Sequence, residues 1–390
     1  MRLRSEAHGG VAFDFDAPIE RAGTWSTRWE RYAGRDVIPL WVADTDFRAP
    51  PAVLEALRER IEHGVLGYTV PPPELRLAIV ERMARLYRWR IEPSWIVFIP
   101  GLVPGLHHAA RALVPPQASV LVPRPVYQHV KGAPVLAGRA VTETPLVLDG
   151  GRWVYDLDAL KRAPRPGAFF LCNPQNPGGT VFAEKELAAL AEASGDALIV
   201  SDEIHCDLIL DAQRRHVPIA SLSPEVSRRT VTLLSPNKTF NFPAAGCAWA
   251  IIEDPALRKA FSVDVDAHYL PSASVFGYIA ALAAYRGGSE WLAAQLDYLR
   301  ENRDLVEEFF KKLPQFSVAH IEATYLAWID CSSLGLDNPA EHFLRHGVAL
   351  SPGSQFGEPN FVRLNFGTQR SRLKEALERI RNASTRSPRG

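Results

Sequence analysis

The sequence predicts an α/β protein: a mostly parallel sheet with helices on both faces, followed by a smaller α+β domain. Three observations carry that expectation. Short runs of apolar β-formers alternate with helical patterns through the middle of the chain. Each run ends abruptly in a turn or a polar cluster. Within a run, apolar residues are continuous rather than alternating, which means burial on both faces, as in a parallel sheet covered by helices.

The elements follow in order. PAVLEALRERIEHG (51–64) places Val53, Leu54, Leu57 and Ile61 on one helical face, and PELRLAIVERMARLYRWR continues in the same style. WIVFI (95–99) is a strand, and PGLVPGLHHAARAL is a loop entering a helix. SVLV (119–122) is a strand ending at Pro123. AFFLC (168–172) is a strand running into NPQNPGG, a turn of asparagine, proline and glycine. A helix follows, with Leu187, Leu190 and Ala191 on one face. ALIVS (197–201), TVTLL (230–234) and AWAII (248–252) are further strands. Residues 289–313 read as one long amphipathic helix. YLAWIDC and FVRLNFG give weaker strand signals, and RSRLKEALERIR is a last helix.

At 390 residues the chain exceeds what one hydrophobic core usually serves. The expected divisions are an N-terminal arm with part of the small domain (1–45), a large domain (46–288), a small C-terminal domain (289–380) and a flexible tail (381–390).

Composition excludes several classes of function. Forty-four basic residues balance forty-four acidic ones, which argues against nucleic acid or an anionic membrane as partner. Four cysteines, none in a C-x-x-C pair, make neither a disulfide framework nor a zinc site, and suit a reduced, cytoplasmic protein. The N-terminus MRLRSEAHGGVAFDFD lacks the apolar stretch of a signal peptide. No apolar run approaches the ~18 residues of a membrane helix.

Ligands of an open α/β sheet sit at the carboxyl ends of its strands. Gly101-Leu102-Val103 follows WIVFI, and Tyr127 stands just past SVLV. Asn176 follows AFFLC, Asp202 and His205 follow ALIVS, and Ser235 and Lys238 follow TVTLL. Ser235 and Lys238 have the S-x-x-K spacing of an acylated serine, but the accompanying S-D-N and K-T-G signals are missing. The set suits pyridoxal phosphate instead. Its aldehyde needs a lysine. Its ring nitrogen needs a carboxylate, which keeps the ring an electron sink. Its ring oxygen takes a donor such as Asn176, and its ring stacks on an aromatic such as Tyr127. Its phosphate takes backbone N–H groups at a helix start, plus a hydroxyl. Gly101, Leu102, Val103 and Ser235 answer that need. Asp202, His205 and Asp207 also raise a metal site, but a strand end does not gather them, so none is expected.

NPQNPGG, SDEIHCDL and SPNKTFN, in that order, resemble the fold type I, aminotransferase-like enzymes that use pyridoxal phosphate. WVADTDF, GYTVPPPELRLAI, GLVPGLHHAARAL, SDEIH and FVRLNFG narrow the resemblance to the MalY/PatB family of cystathionine β-lyase-like C–S lyases. It spans about Thr24 to Arg379. The resemblance implies that Lys238 holds the cofactor, Asp202 meets its ring nitrogen and Asn176 its ring oxygen, with His205 beside it. Tyr127 stacks on the ring, and Ser235 with Gly101, Leu102 and Val103 binds phosphate. Tyr68 reaches the phosphate of a partner subunit, which implies a homodimer. Arg363 clamps the substrate carboxylate, with Ala43 and Asn176 beside it. Lys238, Tyr68 and Tyr127 are the implied catalytic side chains.

The implied reaction is β-elimination from cystathionine or a related cysteine S-conjugate. Transamination and a regulatory binding role are the alternatives. Many aminotransferases of this fold carry an arginine eight residues after the lysine; Gly246 stands there, as in the C–S lyases. The chain departs from the family at Thr45, at Gln128 and His129, in SPGSQFG (351–357) and in NFGTQRS (365–371). The polar pair Gln128 and His129 is expected to shift substrate choice.

Overall fold

The computed structural model of the chain describes residues 13–267 and 272–385. Eight strands form the large sheet: β1 (Ile96–Ile99), β2 (Ser119–Arg124), β3 (Ala140–Asp149), β4 (Arg152–Tyr155), β5 (Ala168–Cys172), β6 (Leu198–Asp202), β7 (Thr230–Leu234) and β8 (Ala248–Ile252). In space they run β1-β8-β7-β6-β5-β2-β3-β4. The pairs from β7 through β3 are parallel. β8 is antiparallel to both neighbours, and β4 to β3. Two reversals across β8 restore β1 to the direction of β7, so the residues after β1, β2, β5, β6 and β7 emerge along one edge.

β5, β6, β7 and β8 are buried at every position, as continuous apolar runs require. Neighbouring residues serve opposite faces. Phe170, Val200 and Val231 pack with Leu106, Val130 and Phe261 on one side. Phe169, Leu171 and Ile199 pack with Leu187 and Leu190 on the other.

Two expectations need correction here, and one element had no expectation. β2 does not stop at Pro123 but pairs with β3 through Arg124. The β3–β4 hairpin is not marked by apolar content, because it lies at the sheet edge and only three of its fourteen strand residues are buried. Its turn, Gly150-Gly151, takes φ of +54° and +80°, which glycine tolerates without strain. Of the helical face predicted over 51–64, Val53 is buried, whereas Leu54 and Ile61 are 39% and 61% exposed.

The C-terminal part holds a four-stranded antiparallel sheet: β9 (Ser317–Val318), β10 (Leu326–Asp330), β11 (Ser351–Pro352) and β12 (Phe361–Asn365), in the order β9-β10-β12-β11. Its core takes in Phe15, Ile38, Leu40 and Phe47 from the N-terminal segment. Ile38–Pro39 pairs in parallel with Val348–Ala349. The last helix, Arg370–Thr385, outruns the expected start of the tail at 381, because Leu373, Leu377, Ile380 and Ala383 continue one buried stripe. The rest of that tail, 386–390, lies outside the described residues.

The strap Trp41–Phe47 crosses from this core to the sheet edge. Buried Arg28 donates from Nε to the Pro39 carbonyl at 2.5 Å and lies 3.3 Å from Asp46. Arg21 and Arg372 also reach Asp46, at 2.8 and 3.2 Å. Burial alone would raise the proton affinity of Asp46, but Arg28, Thr368 and Arg21 outweigh it and hold the carboxyl at about 2, against an ordinary 3.8. Asp46→Asn should destabilise the fold by about 3–5 kcal/mol, read from the denaturant midpoint. A depressed folded value means the contribution is complete above about pH 4 and disappears as pH falls toward about 2. Acid unfolding of the native chain should show that loss, and the variant should not.

Candidate active site

A cavity of about 360 Å³ opens at the carboxyl edge of the large sheet, between it, the strap and β12. Asp202 closes β6 and points into it. Lys238 enters from the turn after β7, and Arg363 from the middle of β12. Asp202 and Arg363 are buried and Lys238 is half-buried, and each responds according to its charge.

Burial pushes the Asp202 carboxyl up to about 7; Glu203 adds to the shift, while the Ile204 amide, which donates to Asp202 at 3.1 Å, and Lys238 oppose it. Burial lowers the Lys238 amine from 10.5 to about 8, with Arg363 acting the same way and Asp44 and Asp202 opposing. The amine donates to the carbonyl of Ala43. Burial also lowers the Arg363 guanidinium to about 10. Arg363 donates to Asn176 Oδ1 at 2.9 Å, to the Trp41 carbonyl at 3.1 Å and to Ser351 Oγ at 3.3 Å, and its plane lies 4.7 Å from the Phe356 ring. Among the described residues it has no carboxylate partner, and its Nε has no hydrogen bond. A buried cation so placed can receive a carboxylate.

The opposite end suits an anion. The helix Leu102–Leu113 starts at Gly101 without a side-chain cap, and Gly101, Leu102 and Val103 line the cavity. Its unpaired N–H groups and macrodipole favour negative charge there. Ser235 also lines this end, but its hydroxyl donates to the Cys247 carbonyl at 2.7 Å and accepts from the Asn237 amide at 3.1 Å. It makes no hydrogen bond to Lys238, so the acyl-serine arrangement is not formed. Gly246 takes φ of +60°, and a Cβ there would lie 3.2 Å from the Pro100 carbonyl. Any side chain is strained at that position.

Tyr127, whose backbone N–H donates to the Asn176 carbonyl at 3.0 Å, presents a half-buried ring to the cavity. His129 meets that ring edge-on at 5.1 Å. Burial drives His205 down to about 3, helped by Lys238 and Arg363, so its imidazole is neutral. Ala43, Asn176, Tyr127, His205, Ser235, Gly101, Leu102 and Val103 thus all meet Asp202, Lys238 and Arg363 at one cavity. Tyr68 does not; it is fully exposed in the loop before the helix Pro73–Tyr87. Asp207 is turned away, paired with Arg82 at 2.8 Å.

Sequence reasoning missed Tyr325. It is wholly buried, donates to the same Ala43 carbonyl at 3.0 Å and faces His205 edge-on at 6.1 Å. Its only signal was a position just before a weak strand.

The fold is that of the fold type I enzymes that use pyridoxal phosphate, and a lysine amine, a buried carboxylate, a guanidinium without a carboxylate partner and an uncapped helix start sharing one cavity fit that class. His205 Nδ1 and Asn237 Oδ1 are buried at this cavity without hydrogen bonds, which leaves polar capacity for such a group. Residues 35–380 match the family model described as aminotransferase class I and II. The chain is similar to the cystathionine beta-lyase PatB of Bacillus subtilis (strain 168), at 35% identity over 95% of this chain and 99% of that protein. It is similar to the crystal structure of OvoB, with 44% identity and a TM-score of 0.93 over 96% of this chain and 99% of the other. The PLP-bound C-S lyase of Staphylococcus hominis matches at 30% identity and a TM-score of 0.90, covering 96% and 99%. The chain belongs to the class I and II aminotransferase family and, within it, to the MalY/PatB group.

The depressed amine gives a test without cofactor. Acylation of Lys238 in the stripped protein, followed by peptide mapping, should be half-maximal near pH 8, well below the surface lysines.

Proposed function

We propose that this protein is a pyridoxal phosphate-dependent carbon–sulfur lyase. It cleaves L-cystathionine or a related cysteine S-conjugate to pyruvate, ammonia and a thiol. The observation that carries the reading is the buried, carboxylate-free guanidinium of Arg363, sharing one cavity with Lys238 and Asp202. That geometry receives an α-amino acid by its carboxylate and presents its Cα to an amine. The C–S lyase relatives and the strained glycine at 246 favour elimination over transamination.

Pyridoxal phosphate, when bound, supplies the electron sink that makes a Cα–H bond acidic. Lys238 would hold its aldehyde, Asp202 its ring nitrogen, and the start of the helix Leu102–Leu113 its phosphate. This chain's residues then do the rest. Arg363 orients the substrate by a two-pronged hydrogen bond to its carboxylate, with Ala43 and Asn176 beside it. Lys238, its proton affinity lowered by burial, takes the Cα proton as general base. Loss of thiolate from Cβ leaves an enamine that water converts to pyruvate and ammonia. Tyr127 and Gln128 line the side on which a leaving group can lie.

A dimer completes the reading. Between residues 61 and 77 the large apolar side chains Ile61, Val65, Leu66, Tyr68, Val70 and Leu77 are all exposed, a concentration that suits an interface. A second copy covers it, and Tyr68 reaches the phosphate end of the partner's cavity. The four cysteines are free and buried, and among the described residues no helix is long and apolar enough to cross a membrane. Both facts suit a cytoplasmic enzyme.

Loaded protein given L-cystathionine without a keto acid should release pyruvate and thiol in equal amounts over many turnovers. Keto acid formed only after an amino acceptor is added would make it an aminotransferase. Lys238→Ala should lower turnover by about 10²–10⁴-fold or more. Mixing Lys238→Ala with Tyr68→Ala protomers should give activity above either parent, since one intact site forms across each mixed dimer. No gain on mixing would place Tyr68 outside the partner's site.

A further inference from the structure

The residue after Lys238 is gripped on two sides by buried polar groups that the reaction does not use. Lys238 lines the cavity, and Thr239, completely buried, does not. The Thr239 hydroxyl donates to Asp207 Oδ2 at 3.3 Å. The other oxygen of Asp207 pairs with Arg82 at 2.8 Å and accepts from the Tyr87 hydroxyl. Arg82 and Tyr87 both belong to the helix Pro73–Tyr87, and the Arg82 guanidinium lies 4.5 Å from the Tyr285 ring. The Thr239 carbonyl accepts from Gln295 Nε2 at 3.0 Å. Gln295 stands on the long helix Ser289–Lys311 and is completely buried. Among the described residues its Oε1 has no hydrogen bond, so the bond to Thr239 is the one its amide makes.

An ion pair, a phenol and a carboxamide are costly to bury, and apolar side chains would serve packing as well. Here all of them converge, directly or through Asp207, on Thr239. The reason lies in the neighbouring side chain. Lysine carries its amine on a flexible four-carbon stem that has no polar group of its own to fix it. Where the amine can reach is therefore set by where the stem begins. Ser235 anchors the turn on one side of Lys238, through the Cys247 carbonyl at 2.7 Å. Thr239 anchors it on the other. The turn between them is closed by the Phe240 N–H, which donates to the Pro236 carbonyl at 2.9 Å. Displacing a catalytic group by about 1 Å can cost about 10²-fold in rate.

We propose that Thr239 is a positioning residue for Lys238: Asp207 on its hydroxyl and Gln295 on its carbonyl fix the point from which the lysine stem reaches into the cavity. Thr239 touches neither cofactor nor substrate. Through Asp207 it is tied to the helix that follows the Tyr68 loop, and through Gln295 to the long helix of the C-terminal part. The inference rests on Lys238 being the reacting amine, not on which substrate bond is cleaved.

The test compares Thr239→Val, which keeps the shape and removes the hydroxyl, with Thr239→Ser, which keeps the hydroxyl. The first readout is the pH dependence of Lys238 acylation in the cofactor-stripped protein, so it stands apart from the cofactor reading. In Thr239→Val the turn drifts and water reaches the amine, so the midpoint should rise from about 8 toward the ordinary 10.5. Thr239→Ser should keep the native midpoint. In the loaded protein Thr239→Val should lower kcat for L-cystathionine about 10–10²-fold and leave KM unchanged, because Arg363 still receives the carboxylate. Thr239→Ser should restore most of that loss. A native midpoint and native kcat in Thr239→Val, with altered thermal stability only, would leave Thr239 a structural residue and overturn the proposal. If Thr239→Val does not fold, Gln295→Met decides, since it releases the carbonyl and leaves the hydroxyl in place. It should shift midpoint and kcat in the same directions, and no change in either would overturn the proposal.

Discussion

Three ionisable groups share one cavity largely withdrawn from water, and the structure around them is what that arrangement requires. Asp202, Lys238 and Arg363 would each be more stable in water as charged groups, and burial shifts all three toward neutrality. They persist there because stiff elements hold them. Asp202 and the Ser235–Lys238 turn end two adjacent strands, β6 and β7, buried along their whole length. Arg363 sits mid-strand in β12, paired on both sides. The strap closes the third side, and Asn365 and Asn241 hold its backbone by hydrogen bonds to Val42, Asp44, Thr45 and Phe47.

The strap depends on charge more than on packing. Arg21, Arg28 and Arg372 converge on Asp46, and Trp29 Nε1 donates to the same carboxylate at 3.1 Å. Removing one partner from such a cluster strands the others. This network belongs to the structure and not to the chemistry, yet it fixes the Ala43 carbonyl on which Lys238 and Tyr325 both rest.

Much of this was legible in the sequence because burial on both faces writes itself as unbroken apolar runs. AFFLC, TVTLL and AWAII became strands with the expected ends. The polar residues just past those runs met at one cavity, because parallel strands deliver their carboxyl ends to one edge. What was not legible depended on partners far away in the chain. The β3–β4 hairpin is half exposed, so its pattern carries little apolar signal. The outward turn of Leu54 and Ile61 reflects a surface left open in a single chain, which helical periodicity cannot distinguish from a core face. Tyr325, and the Glu203–His216 and Arg82–Asp207 pairs, join segments that composition and spacing leave unconnected.

The central proposal is that Lys238, in the turn after β7, would hold the aldehyde of pyridoxal phosphate, with Asp202 in the same cavity. The most direct measurement is borohydride reduction of the loaded protein, proteolysis, and mass spectrometry of the peptides. The account predicts a single stable pyridoxyl addition, on the peptide containing Lys238. An addition at another lysine, or none on a protein that has bound the cofactor, would contradict it.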